Sequence, residues 1–280
     1  MGRVLFSLHA CLLGIAGALL LSAQPGPARA ELLRIGGTGA ALATMQTMGD
    51  AFLAHHRGKA LAVEILPALG SSGGIRAAAD GVISIAVSQR SLQPNEAGRD
   101  LAVTPYGRTP FVFVTTSQST VGVTGDDILA IFRGDKRTWD DGTPIRPLLR
   151  PKDDAGTRTL ESAFPELITV LENLRRRGSL PIATTDQDNL DFAQRIDGSF
   201  TVSTLAQIIA EKAALRILTL NGIAPTLVAL REGAYPLGET FYLIFRENDA
   251  SSRLFVDFVH SPAGRLVLRQ HGTLPVESPR

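Results

Sequence analysis

The period of apolar and polar positions changes several times along the chain, and each change marks an element. Leu32-Leu33-Arg34-Ile35 runs into Gly36-Gly37 as a first strand. Apolar residues then recur at helical spacing, at Leu42, Met45, Met48, Phe52 and Leu53, up to Arg57-Gly58. Ala62-Val63-Glu64-Ile65-Leu66 reads as a second strand. An Ala-rich stretch over 75–80 predicts a helix, and 82–87 a third strand closed by Ser88-Gln89-Arg90-Ser91. Pro110-Phe111-Val112-Phe113-Val114 is apolar at nearly every position, as a buried strand is. Thr124 to Asp127 caps a helix through Leu129, Ile131 and Phe132. Residues 145–150 predict another strand, followed by an amphipathic helix from Leu160.

The pattern is weaker over 181–224. A short apolar strand at 181–183 precedes a polar stretch rich in Asp, Gln and Asn, a helix over 205–214 and a strand over 215–220. Asn221 to Thr226 then caps a further helix. A strand over 240–245, a helix over 251–260 and a short helix from Ser261-Pro262 through Leu268 complete the pattern, with 274–276 extended. Alternating strands and helices without an internal repeat predict an α/β fold.

Three of the strand-to-helix turns carry candidate chemistry. Thr38-Gly39 opens the first helix. Gly70-Ser71-Ser72-Gly73-Gly74 lies between the second strand and its helix. Ala155-Gly156-Thr157 follows the strand over 145–150, with Arg150 and Arg158 on either side. The first turn of a helix offers unpaired N–H groups and partial positive charge, glycines permit close approach, and hydroxyls add donors. Arg adds a planar fork that matches an oxyanion. In a parallel sheet such turns meet at the carboxyl edge, where the polar exit at Ser88-Gln89-Arg90 also arrives. Each feature has an ordinary structural reading as well: Thr38 as a plain N-cap, and each Arg as the ion-pair partner of Asp153 or Asp154. Gly70, Ser72 and Gly74 also satisfy Gly-x-Ser-x-Gly, the nucleophile elbow of serine hydrolases, with His260, His271 and Asp257 downstream to complete a triad.

Composition narrows the class. Arg3, the apolar stretch 4–21 and Ala28-Arg29-Ala30 form a secretory leader over 1–30, with cleavage after Ala30. Cys11, the one cysteine of the chain, lies inside that leader after His9-Ala10, a poor lipobox. The exported chain is therefore held by a full-sized core without disulfides, and cysteine-based metal sites are excluded. The chain carries 28 Lys and Arg against 27 Asp and Glu. Its longest basic run, Arg175-Arg176-Arg177, reads as a solvated helix end, so nucleic acid is not an expected partner.

A set of motifs in fixed order gives a sharper expectation. Gly70-Ser71-Ser72-Gly73-Gly74, Ile131-Phe132-Arg133-Gly134 with Trp139, Asp154-Ala155-Gly156-Thr157-Arg158, and Gly222-Ile223-Ala224-Pro225-Thr226 come first. Tyr235-Pro236-Leu237, Phe241-Tyr242-Leu243 and Phe258-Val259-His260-Ser261-Pro262-Ala263-Gly264 follow. Together they resemble the phosphate-binding proteins of bacterial ABC uptake systems, within the PBP-like superfamily of two-lobed type II periplasmic receptors. The resemblance implies two α/β lobes, each a mixed sheet flanked by helices. One lobe is built from 31–108 and 237–280 and the other from 109–236, joined by crossover strands near 109–114 and 237–243. It implies a periplasmic monomer that clamps phosphate or a similar oxyanion and delivers it to an ABC permease in the inner membrane, with no cofactor, metal or catalytic residue. The ligand would be held by Thr38, Gly39, Ser71, Ser72 and Gln89 on one side and by Arg150, Gly156, Thr157 and Arg158 on the other. The chain departs from the pattern at Ala40 and Ala155, where hydroxyls are usual, and at Gln89, where part of the family has Asp. Two alternatives stand beside this reading: a receptor-like sensor or interaction module with a degenerate site, and a serine hydrolase using Ser72.

Overall fold

The computed structural model describes residues 30–97 and 100–276. Residues 1–29, which hold Cys11 and all but the last residue of the expected leader, lie outside the described residues. In chain order the elements are β1 (Glu31–Gly37), α1 (Gly39–His55), β2 (Leu61–Ile65), α2 (Gly70–Ala79), β3 (Ile85–Ser88), β4 (Leu101–Thr115), β5 (Gly122–Val123), α3 (Gly125–Arg133), β6 (Arg146–Pro147), α4 (Ala155–Ala163) and α5 (Leu167–Arg177). Then come α6 (Asp186–Arg195), β7 (Ser199–Thr204), α7 (Leu205–Ala210), β8 (Arg216–Ile217), β9 (Thr219–Leu220), α8 (Leu227–Arg231), β10 (Gly238–Arg246), α9 (Ala250–His260), α10 (Pro262–Gln270) and β11 (Leu274–Pro275).

The main sheet has the order β2-β1-β3-β10-β4-β7-β6, with β8 and β11 also on β4. β1, β2 and β3 are parallel, so their carboxyl ends deliver three loops to one edge. β10 runs antiparallel between β3 and β4. β4 pairs with β10 as far as Pro110, and from Phe111 onward with β7. The two largest apolar cores follow this division. Leu33, Ile35, Met45, Met48, Phe52, Tyr106, Phe241 and Phe255 belong to the first, whereas Phe111, Phe113, Phe132, Trp139, Phe200 and Tyr235 belong to the second. β4 leaves one core between Tyr106 and Phe111, and the chain returns between Tyr235 and Phe241.

Several helices begin where side chains satisfy the open amides of the first turn. Thr124 and Asp127 form a capping box on α3, Thr226 caps α8, and Ser261 caps α10 with Pro262 following it. Elsewhere the structure departs from the sequence expectation. β4 begins at Leu101, not at Pro110: Pro105 and Gly107 hide its period, and a register shift in β10 between Phe241 and Tyr242 lies opposite them. The strands expected over 145–150 and 181–183 reduce to β6 and a single bridge between Leu149 and Ile182. The helix expected over 205–214 ends at Ala210, and the polar stretch after residue 183 forms α6, where no element was expected.

The largest local difference is in α2, which starts at Gly70, so that Gly-Ser-Ser-Gly-Gly is helical and not a turn. Gly70 enters the helix at a φ of +66°, a conformation glycine adopts without penalty. Gly74 lets α2 cross β1 closely: a Cβ there would lie 2.7 Å from the Cα of Gly37. Ala is favoured over Gly inside a helix by about 1 kcal/mol, but overpacking against backbone costs about 1–3 kcal/mol. Gly74→Ala is therefore expected to destabilise the protein, by up to about 2 kcal/mol as the net of these. Urea unfolding checks this, and an unchanged or raised midpoint would show that α2 shifts off β1 at no cost.

Candidate functional site

The carboxyl ends of β1, β2 and β3 face the starts of α4 and α6 across a cleft of about 280 Å³. Thr38, Ser71, Ser72, Gln89, Arg150 and Arg158 all line it, together with Arg76, Asp153, Asp154 and Asp186. Gly39, Gly156 and Thr157 do not line that cavity. Gly39 is covered by Asp186 and Gln187. Gly156 packs toward Phe111 and Val202, next to the Asp154 carboxylate.

Thr38 occupies the N-cap of α1 but makes no capping bond. Its Oγ1 lies 2.5 Å from Gln89 Oε1 and 3.1 Å from Asp186 Oδ2, a single hydroxyl proton between two acceptors. The Ala40 N–H of the first turn donates to Asp186 Oδ2 at 2.9 Å. Ser71 Oγ accepts from the Gln89 backbone N–H at 3.0 Å, and Ser72 Oγ accepts from Arg90 Nη2 at 2.9 Å. Arg90 is in turn paired with Glu96 at 2.7 Å, which holds the Glu96 carboxyl below its ordinary range. Both hydroxyls of α2 thus brace the loop after β3. Among the described residues no histidine is hydrogen-bonded to Ser72, and His260 lies 3.5 Å from Thr104 Oγ1 instead.

Arg150 is 6% exposed, and both of its Nη atoms are engaged. Its Nη1 donates to the carbonyls of Ala183, at 2.9 Å, and Thr185. Its Nη2 donates to Asp154 Oδ2 at 2.7 Å and Asp186 Oδ1 at 2.8 Å. Asp154 is also the N-cap of α4 and accepts from the Thr157 N–H at 3.3 Å. The Thr157 hydroxyl turns inward to the Pro151 carbonyl at 2.8 Å. Arg158 is exposed on the cleft wall, its Nη1 2.5 Å from the Asp153 carbonyl. Arg175 is not the solvated helix end expected from the sequence: it donates through Nε to the Arg150 carbonyl at 2.9 Å and through Nη2 to Thr157 Oγ1 at 3.3 Å.

Two carboxyl groups of the site were missed in the sequence. Asp186 is the first residue of α6; its signal was the capping box formed by Thr185 and Asp188. Burial raises its pKa, and Asp154 adds to this, while Arg150 opposes it. Glu239, at the start of β10, accepts from Thr159 Oγ1 at 2.8 Å and from Gln89 Nε2. It had no sequence signal beyond a lone charge before an aromatic run. Burial pushes its pKa from 4.5 to about 7.

A family model described as a PBP superfamily domain matches residues 22–263. The chain belongs to that superfamily. No curated protein matches it. Among solved structures it is similar to a Clostridium perfringens protein assigned as a phosphate ABC transporter substrate-binding protein and solved with bound phosphate. The TM-score is 0.74 at 18% identity, over 88% of this chain and 100% of that one. It is also similar to a high-affinity periplasmic phosphate-binding protein (PfluDING), solved with phosphate, at a TM-score of 0.66 and 18% identity, over 88% and 91% of the two chains. An ABC-type phosphate transport receptor from Vibrio cholerae gives 0.58 at 15% identity, over 87% and 99%. These likenesses show the two-lobed type II periplasmic binding protein fold expected from the sequence.

The raised pKa of Glu239 has a defined sign. Between pH 4.5 and about 7 an unfolded chain releases this proton while the folded protein keeps it, so stability falls as pH rises through that window. The loss approaches about 3 kcal/mol above pH 7. Glu239→Gln removes this slope. Its stability relative to the parent is expected to rise by up to about 3 kcal/mol between pH 4.5 and pH 8 in urea unfolding. A difference that does not vary with pH would mean that Glu239 ionises as an ordinary carboxyl.

Proposed function

We propose that this protein is an extracytoplasmic solute-binding protein that captures phosphate, or a related tetrahedral oxyanion, in its cleft and passes it to an ABC permease of the inner membrane. The observation that carries this reading is the convergence of the starts of α1, α2 and α4 on one cleft that Arg76 and Arg158 also line. The phosphate-bound relatives of the same fold support the choice of ligand. In this reading 31–108 with 237–280 and 109–236 are the two lobes, which close on the anion by a hinge at β4 and at the start of β10. The leader over 1–30 directs the chain to the periplasm, where it acts as a monomer. Among the described residues no helix is long and apolar enough to cross a membrane. In this reading Thr38, Ser71, Ser72 and Gln89 on one side and Arg158 on the other face the anion, whereas Gly39, Arg150, Gly156 and Thr157 of the expected set reach it only after the cleft rearranges; no cofactor, metal or catalytic residue takes part.

One observation favours a second reading, a receptor-like sensor or interaction module. Both Nη atoms of Arg150 are already engaged by carboxylates and carbonyls, so the guanidinium has no open N–H pair for a ligand in this arrangement.

Calorimetric titration of the purified protein, freed of bound anion, separates the two, with phosphate first and then sulfate, arsenate, molybdate and tungstate. Binding of phosphate or another of these at micromolar concentration supports the receptor; no binding of any supports the second reading. Arg158 is exposed, so Arg158→Ala is expected to fold normally and to weaken anion binding by about 1.5–3 kcal/mol, the range for a hydrogen bond to a charged group. Unchanged affinity in this variant would remove Arg158 from the site.

A further inference from the structure

Asp186 sits where a ligand of the proposed site should sit. Its Oδ2 accepts the Ala40 N–H of α1 at 2.9 Å and lies 3.1 Å from Thr38 Oγ1. Its Oδ1 accepts from Arg150 Nη2 at 2.8 Å. A helix-terminal amide, a hydroxyl and a guanidinium are the donors that an oxyanion would use there, and here they converge on a carboxylate of the chain itself.

We propose that Asp186 is an internal counter-ligand of the cleft: its carboxylate holds the α1 oxyanion position, and a bound anion must displace it. This rests on the oxyanion-receptor reading above. It makes Asp186 the residue that sets affinity and ligand charge.

Three observations separate this role from a helix cap or a plain ion pair. The start of α6 is already capped without Asp186, because Thr185 Oγ1 accepts from the Asp188 N–H at 3.0 Å and Asp188 Oδ2 from the Thr185 N–H at 3.1 Å. Arg150 already has a carboxylate partner in Asp154 at 2.7 Å, so a second is not needed to neutralise it. The approach to α1 is fitted: a Cβ on Gly39 would fall 2.9 Å from both Cβ and Oδ2 of Asp186, so the contact requires glycine at that position. Next to it, Gln187 Nε2 donates to the Gly39 carbonyl at 3.1 Å and closes α6 onto α1. Burial and the neighbouring Asp154 both raise the pKa of Asp186, so the carboxylate is held there against an opposing electrostatic cost.

The test compares the parent protein with Asp186→Ala and with the isosteric Asp186→Asn. Phosphate affinity is measured by calorimetry, and the radius of gyration without ligand by solution X-ray scattering. Asp186→Ala is expected to bind phosphate at least tenfold more tightly than the parent. Asp186→Asn, which keeps an acceptor for the Ala40 N–H but not the charge, should fall between the two. Without ligand, Asp186→Ala should be the more expanded, because the α6–α1 contact is lost. Affinity that is weaker or unchanged in both variants would overturn the proposal, since Asp186 would then be a ligand contact or a bystander. If neither parent nor variants bind any oxyanion, the receptor reading fails by itself. The displacement part then falls with it, and the scattering decides only whether Asp186 holds α6 against α1: expansion of Asp186→Ala supports that contact, and an unchanged radius overturns it.

Discussion

A buried guanidinium must be fully paired, and at Arg150 this requirement organises the site. Removing one partner of such a buried pair typically costs about 3–5 kcal/mol, because the remaining charge is stranded away from water. The oxygens around Arg150 come from separate pieces of chain: Asp154 at the start of α4, the carbonyls of Ala183 and Thr185 ahead of α6, and Asp186 at its first residue. One cation therefore fixes two helix starts relative to each other, and through Asp186 it reaches α1. Loops this polar have little apolar packing to position them, so charge compensation holds them in place.

On the other wall the sheet does the positioning. Parallel β1, β2 and β3 bring Thr38, the start of α2 and Gln89 to one edge, and β10 brings Glu239 beside them. The Gln89 amide bridges two unlike partners, since its Oε1 faces the Thr38 hydroxyl and its Nε2 donates to Glu239. This gives a physical reason for glutamine at a position where part of the resembling family has aspartate. A carboxylate at residue 89 would stand against Glu239 with no donor between them, and two like charges in a buried pocket cannot both ionise cheaply.

Much of this was legible in the sequence where local chemistry was strong. Thr124 with Asp127, Thr226, and Ser261-Pro262 announce their helices because a cap is a short-range signal. The apolar run at 110–114 announces the buried half of β4 for a similar reason. The other half, from Leu101, was hidden by Pro105 and Gly107, and it is the register with β10 that makes them strand residues. The start of α2 was read as a turn because glycines and serines mark turns in isolation; contact with the Gly37 backbone is what selects glycine within a helix there. α6 was missed because its stripe is thin: its buried residues are Asn189, Leu190 and Ala193. Asp186 went with it. The residues expected to bind were found largely on one cleft, but no sequence signal said which of their donors would already be taken.

That occupancy bears on how the cleft works. A carboxylate and an incoming anion about 4 Å apart repel by about 4 kcal/mol at an effective dielectric near 20, so the two do not share the site. Yet Asp186 is itself held in a buried position that opposes its charge, and on leaving it would regain water. Exchange of one anion for the other is therefore closer to balanced than the bare repulsion suggests. The start of α6 is tied down by its capping box and by the Thr185 carbonyl on Arg150, so the exchange cannot come from unravelling that helix end. It has to come either from a turn of the Asp186 side chain or from separation of α1 from α6. Asp186 lines the open cleft, so its side chain can turn toward that space, whereas separation of the two helices would also have to break the hydrogen bond from Gln187 Nε2 to the Gly39 carbonyl.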